Sequence, residues 1–586
     1  MQKTFPKWAK VLPEVKQIQR AQRRLNNHLN EIIPISYEPD RETGTFQYRE
    51  YVELLLDRFG LLPLINDPST TEPVQVAVTF DGGKISRFLG HVTGGFKLVD
   101  RRSINPKTGT PLFGETGIEK VQSHFFCFPL KVAFATDTKI LYRREYADLF
   151  RFLKEYEAEK GFRVKFNFPQ DMSSIWKTTG RGGTAKIKTF PCYCCAVTSA
   201  TLVTPQPKEK CFRGDRCKQP KCYHHNMVTQ ETFDAWRQQK QDLEGVFSHL
   251  SNPHSDMNKS QVFLSSIDEL RDERNPFDIS FVPASVEEGR AFDSLLQVEL
   301  GYRRLPVNGT IAEKRARLRE ALEAEAVYSL MQKLVLSTDV DQAFCAAEDA
   351  IPCVMHGGNR MGEKLFMMAL LEAWNRCDSN ESRRLLLEAV ENFVNTGVFG
   401  TEQSRSQWKI PINGENEIEA ISFTAWRVKK ILARLGDLVP LIGLEGDRLR
   451  DWQLMLSKYL EVMKRAFQHE DFSDAEIEDF QDVVDEWFYL YVNLLGLPGI
   501  TNYIHLLGAG HLYFYLKRWG SLYRYQQQGW EMKNGIIASF INRRTRRGGA
   551  GGRFGPSHTS RIIPVMEWFQ RTTAWLTGDA ATFFST

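Results

Sequence analysis

The sequence lacks any apolar run long enough to cross a membrane. Its first residues, MQKTFPKWAK, have no continuous apolar core of the kind that a signal peptide carries. The net charge is only +4, so the overall charge balance indicates no particular partner. From these absences we expect a soluble intracellular protein, nuclear if its host is eukaryotic, that does not bind a membrane.

A reducing compartment would also exclude disulfides as the reason for the cysteines. The chain has ten cysteines, and six of them fall between Cys192 and Cys222. Clustered cysteines in a reduced protein are typical of a metal site. Apolar residues make up 42% of the chain, so a sizeable core is expected and wholesale disorder is not.

Charge is distributed unevenly although it nearly balances. Residues 1–30 hold seven Lys or Arg and one acid, and residues 543–553 hold five Arg and no acid. Residues 470–486 hold nine acids and no Lys or Arg. Basic ends around an acidic middle fit a protein that presents selected surfaces to a polyanion.

Periodicity predicts an α/β core and a large helical block. Residues 74–80 (VQVAVTF) and 162–168 (FRVKFNF) alternate as strands do, and residues 230–500 are almost entirely helical in pattern. Capping-box patterns at Thr310 and Ser473 open two of the predicted helices. The predicted domains are a basic helical arm (1–72), the first part of the core (73–190), a zinc-binding segment (191–229), the helical insertion (230–500) and a C-terminal catalytic segment (501–586).

Three carboxylates could serve phosphoryl transfer. Asp81 follows the first strand, and Asp171 follows the second. Glu531 lies on a C-terminal helix whose predicted apolar stripe is Met532, Ile536 and Phe540. Two divalent ions held by carboxylates can activate the attacking oxygen and stabilise the leaving one. An aspartate after a strand is more often a turn or cap residue, so spacing alone does not establish a triad.

Two patterns of cysteine and histidine predict zinc. Cys192 and Cys195 form a CxxC, and the nearby segment CFRGDRCKQPKCYHH supplies a complete zinc set. In that segment the ligands would be Cys211, Cys217 and Cys222, with His225 as the predicted fourth ligand and His224 as the alternative. The residues leave open whether there is one zinc site or two.

The segment GITNYIHLLGAGHLYFYLKRWGSLYRYQQQGWEMKNGIIASF resembles the catalytic C-terminal region of the V(D)J recombination-activating recombinase and its Transib transposase relatives. That family has two zinc-binding histidines followed by a catalytic glutamate in a G-x-E-x-x-N helix. The matching positions here are His505, His511 and Glu531. Upstream, Asp81-Gly82 is similar to the family's first aspartate, and Asp171 stands before Cys192 much as the second aspartate stands before its CxxC.

This resemblance implies a ribonuclease-H-like catalytic core interrupted by a large all-helical insertion. It implies a DDE-type DNA transposase that cleaves transposon-end DNA and joins it to target DNA, with Asp81, Asp171 and Glu531 holding two Mg²⁺ or Mn²⁺ ions. One zinc would be bound by Cys192, Cys195, His505 and His511. The implied partners are double-stranded DNA, a second copy of the chain and, in some systems, an accessory protein.

The resemblance covers residues 74–236 and 498–580, and it has departures. His505 and His511 are one residue further apart than in the family, Cys194 is an extra cysteine, and the Cys211–His225 segment has no counterpart. The hAT transposases remain alternative kin. Two other functions stay open: a catalytically inactive DNA-binding protein derived from a transposase, and a structural zinc protein.

The glycine-rich segment after the Glu531 helix is the predicted DNA contact. It contains Arg543, Arg544, Arg546, Arg547 and Arg553. Arginine suits bidentate phosphate contacts, and glycine lets the backbone approach the DNA closely. The alternative is a solvated loop.

Overall fold

A computed structural model gives the fold of the chain. It describes residues 15–38, 41–84, 90–113, 122–135, 138, 141–179, 192–195, 205–206, 208–229, 231, isolated positions from 286 to 300, 305–320, 345–400, 408–414, 417–419, 421, 423, 425–496, 499–544 and 562–579. The chain divides into two compact units. The first comprises residues 1–179, 200–227 and 342–586, and the second comprises residues 180–199 and 228–341.

The first unit is built on a six-stranded mixed sheet. Its strands are β1 (Ile35–Glu38), β2 (Thr43–Phe46), β3 (Val74–Lys84), β4 (Gly90–Leu98), β5 (Cys127–Ala133) and β6 (Val164–Asn167), in the spatial order β1-β2-β5-β4-β3-β6. Only β3 and β6 are parallel, and the other neighbours are antiparallel. The predicted mixed α/β class is therefore confirmed, and the ribonuclease-H-like assignment stays a prediction.

Helices cover both faces of the centre of the sheet. Adjacent glycines in β4 show this, because a side chain at Gly94 would meet Tyr146 and one at Gly95 would meet Trp530. Successive strand residues point to opposite faces, so these two aromatic rings lie on opposite sides of the sheet. Coverage on both faces explains why β3 is buried along most of its length rather than at alternate residues.

The N-terminal segment contains the predicted helices and an unpredicted hairpin. Helices α1 (Val15–Ile32) and α2 (Tyr48–Arg58) agree with the amphipathic pattern, and a short α3 (Leu62–Asn66) follows. Between α1 and α2, strands β1 and β2 extend the sheet by pairing with β5. A side chain at Gly44 would meet Met566, so the hairpin lies against a helix at the far end of the chain. Local periodicity cannot predict such a contact.

The remaining helices of the first unit follow the sheet in sequence. They are α4 (Ala147–Glu159), α5 (Met172–Thr179), α6 (Val354–Arg376), α7 (Asn380–Asn392), α8 (Ala425–Leu441), α9 (Gly446–Ala466), α10 (Asp474–Leu495), α11 (Asn502–Gly508), α12 (His511–Trp519), α13 (Gln528–Arg544) and α14 (Ile562–Thr577). The predicted capping box of α10 is present, since Ser473 and Glu476 bond reciprocally.

One predicted helix end is wrong. The sequence pattern predicts a helix around 421–435 that ends at Gly436. The observed helix, α8, continues to Leu441 and includes Pro440. Leu435, Leu438 and Val439 are all fully buried on either side of that glycine. Packing of these side chains outweighs the roughly 1 kcal/mol by which glycine disfavours a helix interior.

The second unit is described only in part. A helix runs over 311–320, and its capping box is formed as predicted, with the Thr310 N–H donating to Glu313 Oε2 at 2.8 Å. Leu296, Leu300 and Leu318 form a small buried cluster beside it. The predicted continuation of this helix to about residue 335 lies outside the described residues.

Candidate active site and metal centres

Asp81 lies inside a strand rather than at its end. Strand β3 continues to Lys84, so the prediction that the strand stops at Asp81 is wrong. The pairing with β4 extends to Lys84, whereas the parallel pairing with β6 covers only Val74 to Ala77. Beyond Ala77 this side of β3 is therefore not covered by β6, and Asp81 stands there with 8% of its surface exposed.

Asp171 occupies the corresponding place after β6. Ala77 of β3 and Asn167 of β6 are partners in the parallel register. Asp81 comes four positions after Ala77, and Asp171 comes four positions after Asn167. Asp171 also caps α5, because its Oδ1 accepts a hydrogen bond from the Ser174 N–H at 2.7 Å. Capping uses one carboxylate oxygen, and Oδ2 accepts no hydrogen bond from the described residues.

Glu531 is in the first turn of α13, and its side chain is 51% exposed. Its Oε1 lies 2.9 Å from Nε2 of His356, a residue at the start of α6. The hydrogen bond from His356 lowers the pKa of Glu531 below its usual value. Burial alone would lower the pKa of His356, but Cys353, Glu531 and Asp171 together raise it well above its usual value. This pair therefore has the character of an ion pair.

The other two carboxylates affect the protonation of Asp81. Burial raises the pKa of Asp81 well above its usual value, and the negative charges of Glu531 and Asp171 raise it further. His356 opposes this effect. Converging acids whose protonation is shifted by burial and by each other are typical of functional sites. A divalent cation at such a site would relieve the repulsion among them.

Asn534 joins the first aspartate to the helix of Glu531. Its Nδ2 donates to Asp81 Oδ2 at 2.7 Å, and its Oδ1 lies 3.0 Å from Nε2 of His91 in β4. His91 is 1% exposed, and burial lowers its pKa, which favours a neutral ring that donates through Nε2. Asn534 is thus fixed on both sides and holds α13 against β3 and β4.

The face of α13 that is buried differs from the predicted stripe. Met532 is 47% exposed, whereas Lys533, Asn534 and Ile537 are buried. The Lys533 ammonium donates to the Cys127 carbonyl at 2.7 Å and to the His124 carbonyl at 3.1 Å. An apolar-stripe rule misses this face because its polar residues are paired within the core.

Two sets of buried cysteine and histidine side chains could each hold a metal ion. One set is Cys192, Cys195, His505 and His511, and the other is Cys211, Cys217, Cys222 and His224. All eight residues are buried. Among the described residues, Asp81, Asp171 and Glu531 do not form a third set in which all ligand atoms lie within 4.8 Å of one another.

The first set consists of a cysteine pair and a histidine pair. In the second unit, Cys192 Sγ accepts a hydrogen bond from the Cys194 N–H at 3.3 Å, which is the turn expected of a CxxC. In the first unit, the Nε2 atoms of His505 and His511 lie 3.3 Å apart across the turn between α11 and α12. The histidines are therefore not an ordinary pair of polar helix residues.

In the second set the histidine is His224, so the prediction of His225 as the fourth ligand is wrong. His224 Nδ1 lies 3.1 Å from Cys211 Sγ and 3.5 Å from Cys217 Sγ. The ring of His225 points elsewhere, with its centroid 5.5 Å from that of His505. Sequence spacing could not decide between adjacent histidines, because either can reach a flexible loop.

The predicted DNA-contacting arginines are largely beyond what the structure describes. Arg543 and Arg544 form the last turn of α13, where their backbone is described and their side chains are not. Arg546, Arg547 and Arg553 lie outside the described residues. Within the described part of the chain, no helix combines the length and apolar content that crossing a membrane requires.

His356 and Asn534 are the site residues that sequence reasoning did not select. Asn534 is three positions after Glu531, and residues at that spacing are neighbours on a helix. Helical spacing therefore gave a signal for Asn534. His356 stands in MHGGNR with no signal, and it reaches Glu531 from 175 residues away. Comparison with protein-family models gives no match for this chain, and comparison with curated proteins gives none either.

Proposed function

We propose that this protein is a DDE-type DNA transposase that cleaves transposon-end DNA and joins it to target DNA by two-metal phosphoryl transfer. The observation that carries the proposal is the convergence of Asp81, Asp171 and Glu531 from three separate elements into one electrostatic neighbourhood. Phosphoryl transfer needs positioning and charge stabilisation more than covalent chemistry, and carboxylate-held Mg²⁺ or Mn²⁺ ions supply both.

Two ions could be held by carboxylates that lie too far apart to share a single ion. Two ions about 4 Å apart, each about 2.1 Å from its oxygens, accommodate ligand oxygens up to about 8 Å from one another. In each Cys/His set all ligand atoms lie within 4.8 Å of one another. Carboxylate oxygens farther apart than that are therefore compatible with two ions. Asp171 would bind through Oδ2, since Oδ1 caps α5.

The sheet supports a ribonuclease-H-like core. Strand β3 carries Asp81 and has antiparallel β4 on one side and parallel β6 on the other. Parallel neighbours run toward the same edge of a sheet, and the shared four-residue offset supports a position for Asp81 and Asp171 on the same side, beyond the end of β6. Helix α13 then brings Glu531 to β3 through the Asn534–Asp81 hydrogen bond.

Zinc and DNA contacts complete the proposal. Zinc would be the ion held by the first Cys/His set, Cys192, Cys195, His505 and His511. The arginines from 543 to 553 would bind the phosphates of the DNA backbone next to the carboxylates. The partners are double-stranded DNA and a second copy of the chain, because two transposon ends must be handled together.

The test is cleavage of the DNA that flanks the coding sequence. Duplexes carrying its terminal repeats, incubated with the protein and Mg²⁺ or Mn²⁺, should give nicked, hairpinned or joined products. Asp81→Asn, Asp171→Asn and Glu531→Gln should each abolish product formation while leaving DNA binding within a few-fold. Asp447→Asn is the matched control, because Asp447 is 85% exposed and far along the chain from all three acids.

Two outcomes would contradict the proposal. Wild-type activity in the Asp171→Asn protein would remove that residue from the site. Specific DNA binding without cleavage, in either metal, would favour the alternative of a catalytically inactive DNA-binding protein derived from a transposase.

A further inference from the structure

The segment 211–224 has the dimensions of a single tetrahedral zinc site. The four ligand atoms of Cys211, Cys217, Cys222 and His224 all lie within 4.8 Å of one another, and the closest sulfur–nitrogen distance is 3.1 Å. Tetrahedral zinc with Zn–S near 2.3 Å and Zn–N near 2.05 Å places its ligands about 3.5–3.8 Å apart. The set therefore needs little rearrangement to close on one ion.

Nothing else in this segment explains three buried cysteines. They form a cluster of buried apolar residues by themselves, in a loop containing only short turns at Lys208–Lys210 and Gly214–Arg216. The Arg213 N–H donates to Cys211 Sγ at 3.4 Å, as backbone groups do to metal-bound thiolates. Three sulfurs and one imidazole nitrogen are a donor set that zinc prefers.

A buried carboxylate orients the histidine of this set. His224 Nε2 lies 2.7 Å from Asp485 Oδ1, and both side chains are fully buried. Metal-binding histidines commonly donate their other ring N–H to a carboxylate, which fixes the tautomer and the ring orientation. Here that hydrogen bond directs Nδ1 at the three sulfurs. Asp485 belongs to α10, so the carboxylate joins the cysteine segment to the acidic helix.

Further contacts on Asp485 keep it in place. Gln481 Nε2 donates to its Oδ1 at 2.9 Å, and Arg213 Nη1 donates to its Oδ2 at 3.1 Å. Arg213 also pairs with Asp482 and Glu478 on the same helix. The acidic face of α10 therefore partly supports this cluster.

The same segment holds the turn that carries the other two histidines. Gln219 Nε2 donates to the Gly508 carbonyl at 3.0 Å, and the His225 N–H donates to the Ala509 carbonyl at 3.1 Å. At Gly510, whose φ is 80°, a side chain would lie 2.6 Å from the ring of Phe212. His505 and His511 stand at either end of this turn.

We propose that Cys211, Cys217, Cys222 and His224 bind a structural zinc ion, oriented by Asp485, that braces the turn between α11 and α12 and so positions His505 and His511. The proposal goes beyond the transposase function and does not depend on it. It assigns one purpose to a segment without counterpart in the family that the chain resembles. It also accounts for the adjacent histidines, since His224 binds the ion and His225 holds the turn.

The first experiment measures zinc in the full chain. Cys217→Ser should contain one zinc ion fewer than the wild type after dialysis against excess chelator-free buffer. Cys377→Ser is the matched control, because Cys377 is a partly buried thiol that donates only to the Ala373 carbonyl and should leave the zinc content unchanged. In Co²⁺-substituted protein, the thiolate charge-transfer absorption should fall in Cys217→Ser and not in Cys377→Ser.

The second experiment keeps all four ligands and tests the carboxylate. Asp485→Asn should bind the same number of zinc ions at saturation but release one of them about 10–100-fold more readily to a chelator. Asp482→Asn is its control, since Asp482 pairs with Arg213 and Lys218 but does not contact His224. This comparison remains informative if Cys217→Ser fails to fold.

A third measurement addresses the brace itself. After loss of this ion, backbone amides of residues 505–511 should exchange with solvent faster, while those of α6 should not change. The proposal is overturned if Cys217→Ser retains as much zinc as Cys377→Ser, or if Asp485→Asn and Asp482→Asn release zinc equally. Unchanged exchange at 505–511 would refute the bracing role. DNA cleavage enters none of these measurements, so failure of the transposase proposal is recognised separately.

Discussion

Gly95 sets how closely α13, the helix that carries Glu531, approaches the sheet. A Cβ atom at this position would lie 2.0 Å from Trp530 Cη2, 2.4 Å from Trp530 Cζ2 and 2.8 Å from the Phe128 carbonyl oxygen. Non-bonded carbon atoms pack about 3.5–4.0 Å apart. The Gly95→Ala substitution would therefore push the fully buried Trp530 ring away by about 1.5 Å, because the opposing backbone carbonyl cannot move freely.

The consequences should be seen in both stability and activity. Overpacking of this kind typically costs about 1–3 kcal/mol, and the rigid neighbours place Gly95→Ala at the upper end, near 3 kcal/mol. Glu531 directly follows Trp530, so the helix that carries it must shift as well. A displacement of about 1 Å in a catalytic group can reduce a rate about 100-fold.

The assay is urea unfolding followed by circular dichroism, with DNA cleavage measured under native conditions. Gly535→Ala is the control on the same helix, since Gly535 is exposed and a side chain there meets nothing within 4 Å. It should stabilise the protein by about 0.5–1 kcal/mol. Trp530→Phe lacks the two clashing ring atoms and should rescue much of the Gly95→Ala loss when combined with it. Equal unfolding midpoints for wild type and Gly95→Ala would refute the close approach, as would strict additivity of the two substitutions.

Three further predictions concern the surroundings of the site. Asn534→Ala should destabilise the protein by about 2–4 kcal/mol, because Asp81 and His91 both lose a buried partner, and a change under about 0.5 kcal/mol in urea unfolding would contradict this. Burial lowers the pKa of Lys97 from 10.5 to about 8. Between about pH 8 and pH 10.5 this lysine is therefore protonated in the unfolded state and largely deprotonated in the folded state. Wild-type stability should therefore rise with pH across that window, by on the order of 3 kcal/mol from this group. Burial lowers the pKa of Lys533 to about 8 as well, so Lys97→Met should show a smaller rise than the wild type in pH-dependent unfolding. Replacing the four arginines of residues 543–547 with alanine should flatten the salt dependence of DNA binding measured by fluorescence anisotropy and weaken different sequences about equally, and an unchanged slope would place the DNA elsewhere.

The sequence by itself determined the local features. Alternation of valines in 74–80 predicts β3, and the capping box at Ser473 predicts the start of α10. Both patterns depend only on residues that are a few positions apart in the sequence. Clustering of cysteines predicts metal sites for the same reason, since three of the ligands in 211–224 are close in sequence. Mixed α/β class follows from the succession of such local patterns.

The tertiary structure decided which residues of these patterns meet. His224 rather than His225 joins the cysteines, because Asp485 on α10 fixes its ring from 261 residues away. His356 reaches Glu531 across 175 residues, and Asn534 reaches Asp81 across 453. Strand β3 runs past Asp81, since its pairing with β4 continues where its pairing with β6 has ended. Hydrogen bonds and packing between distant segments depend on the path of the whole chain, which no window of sequence specifies.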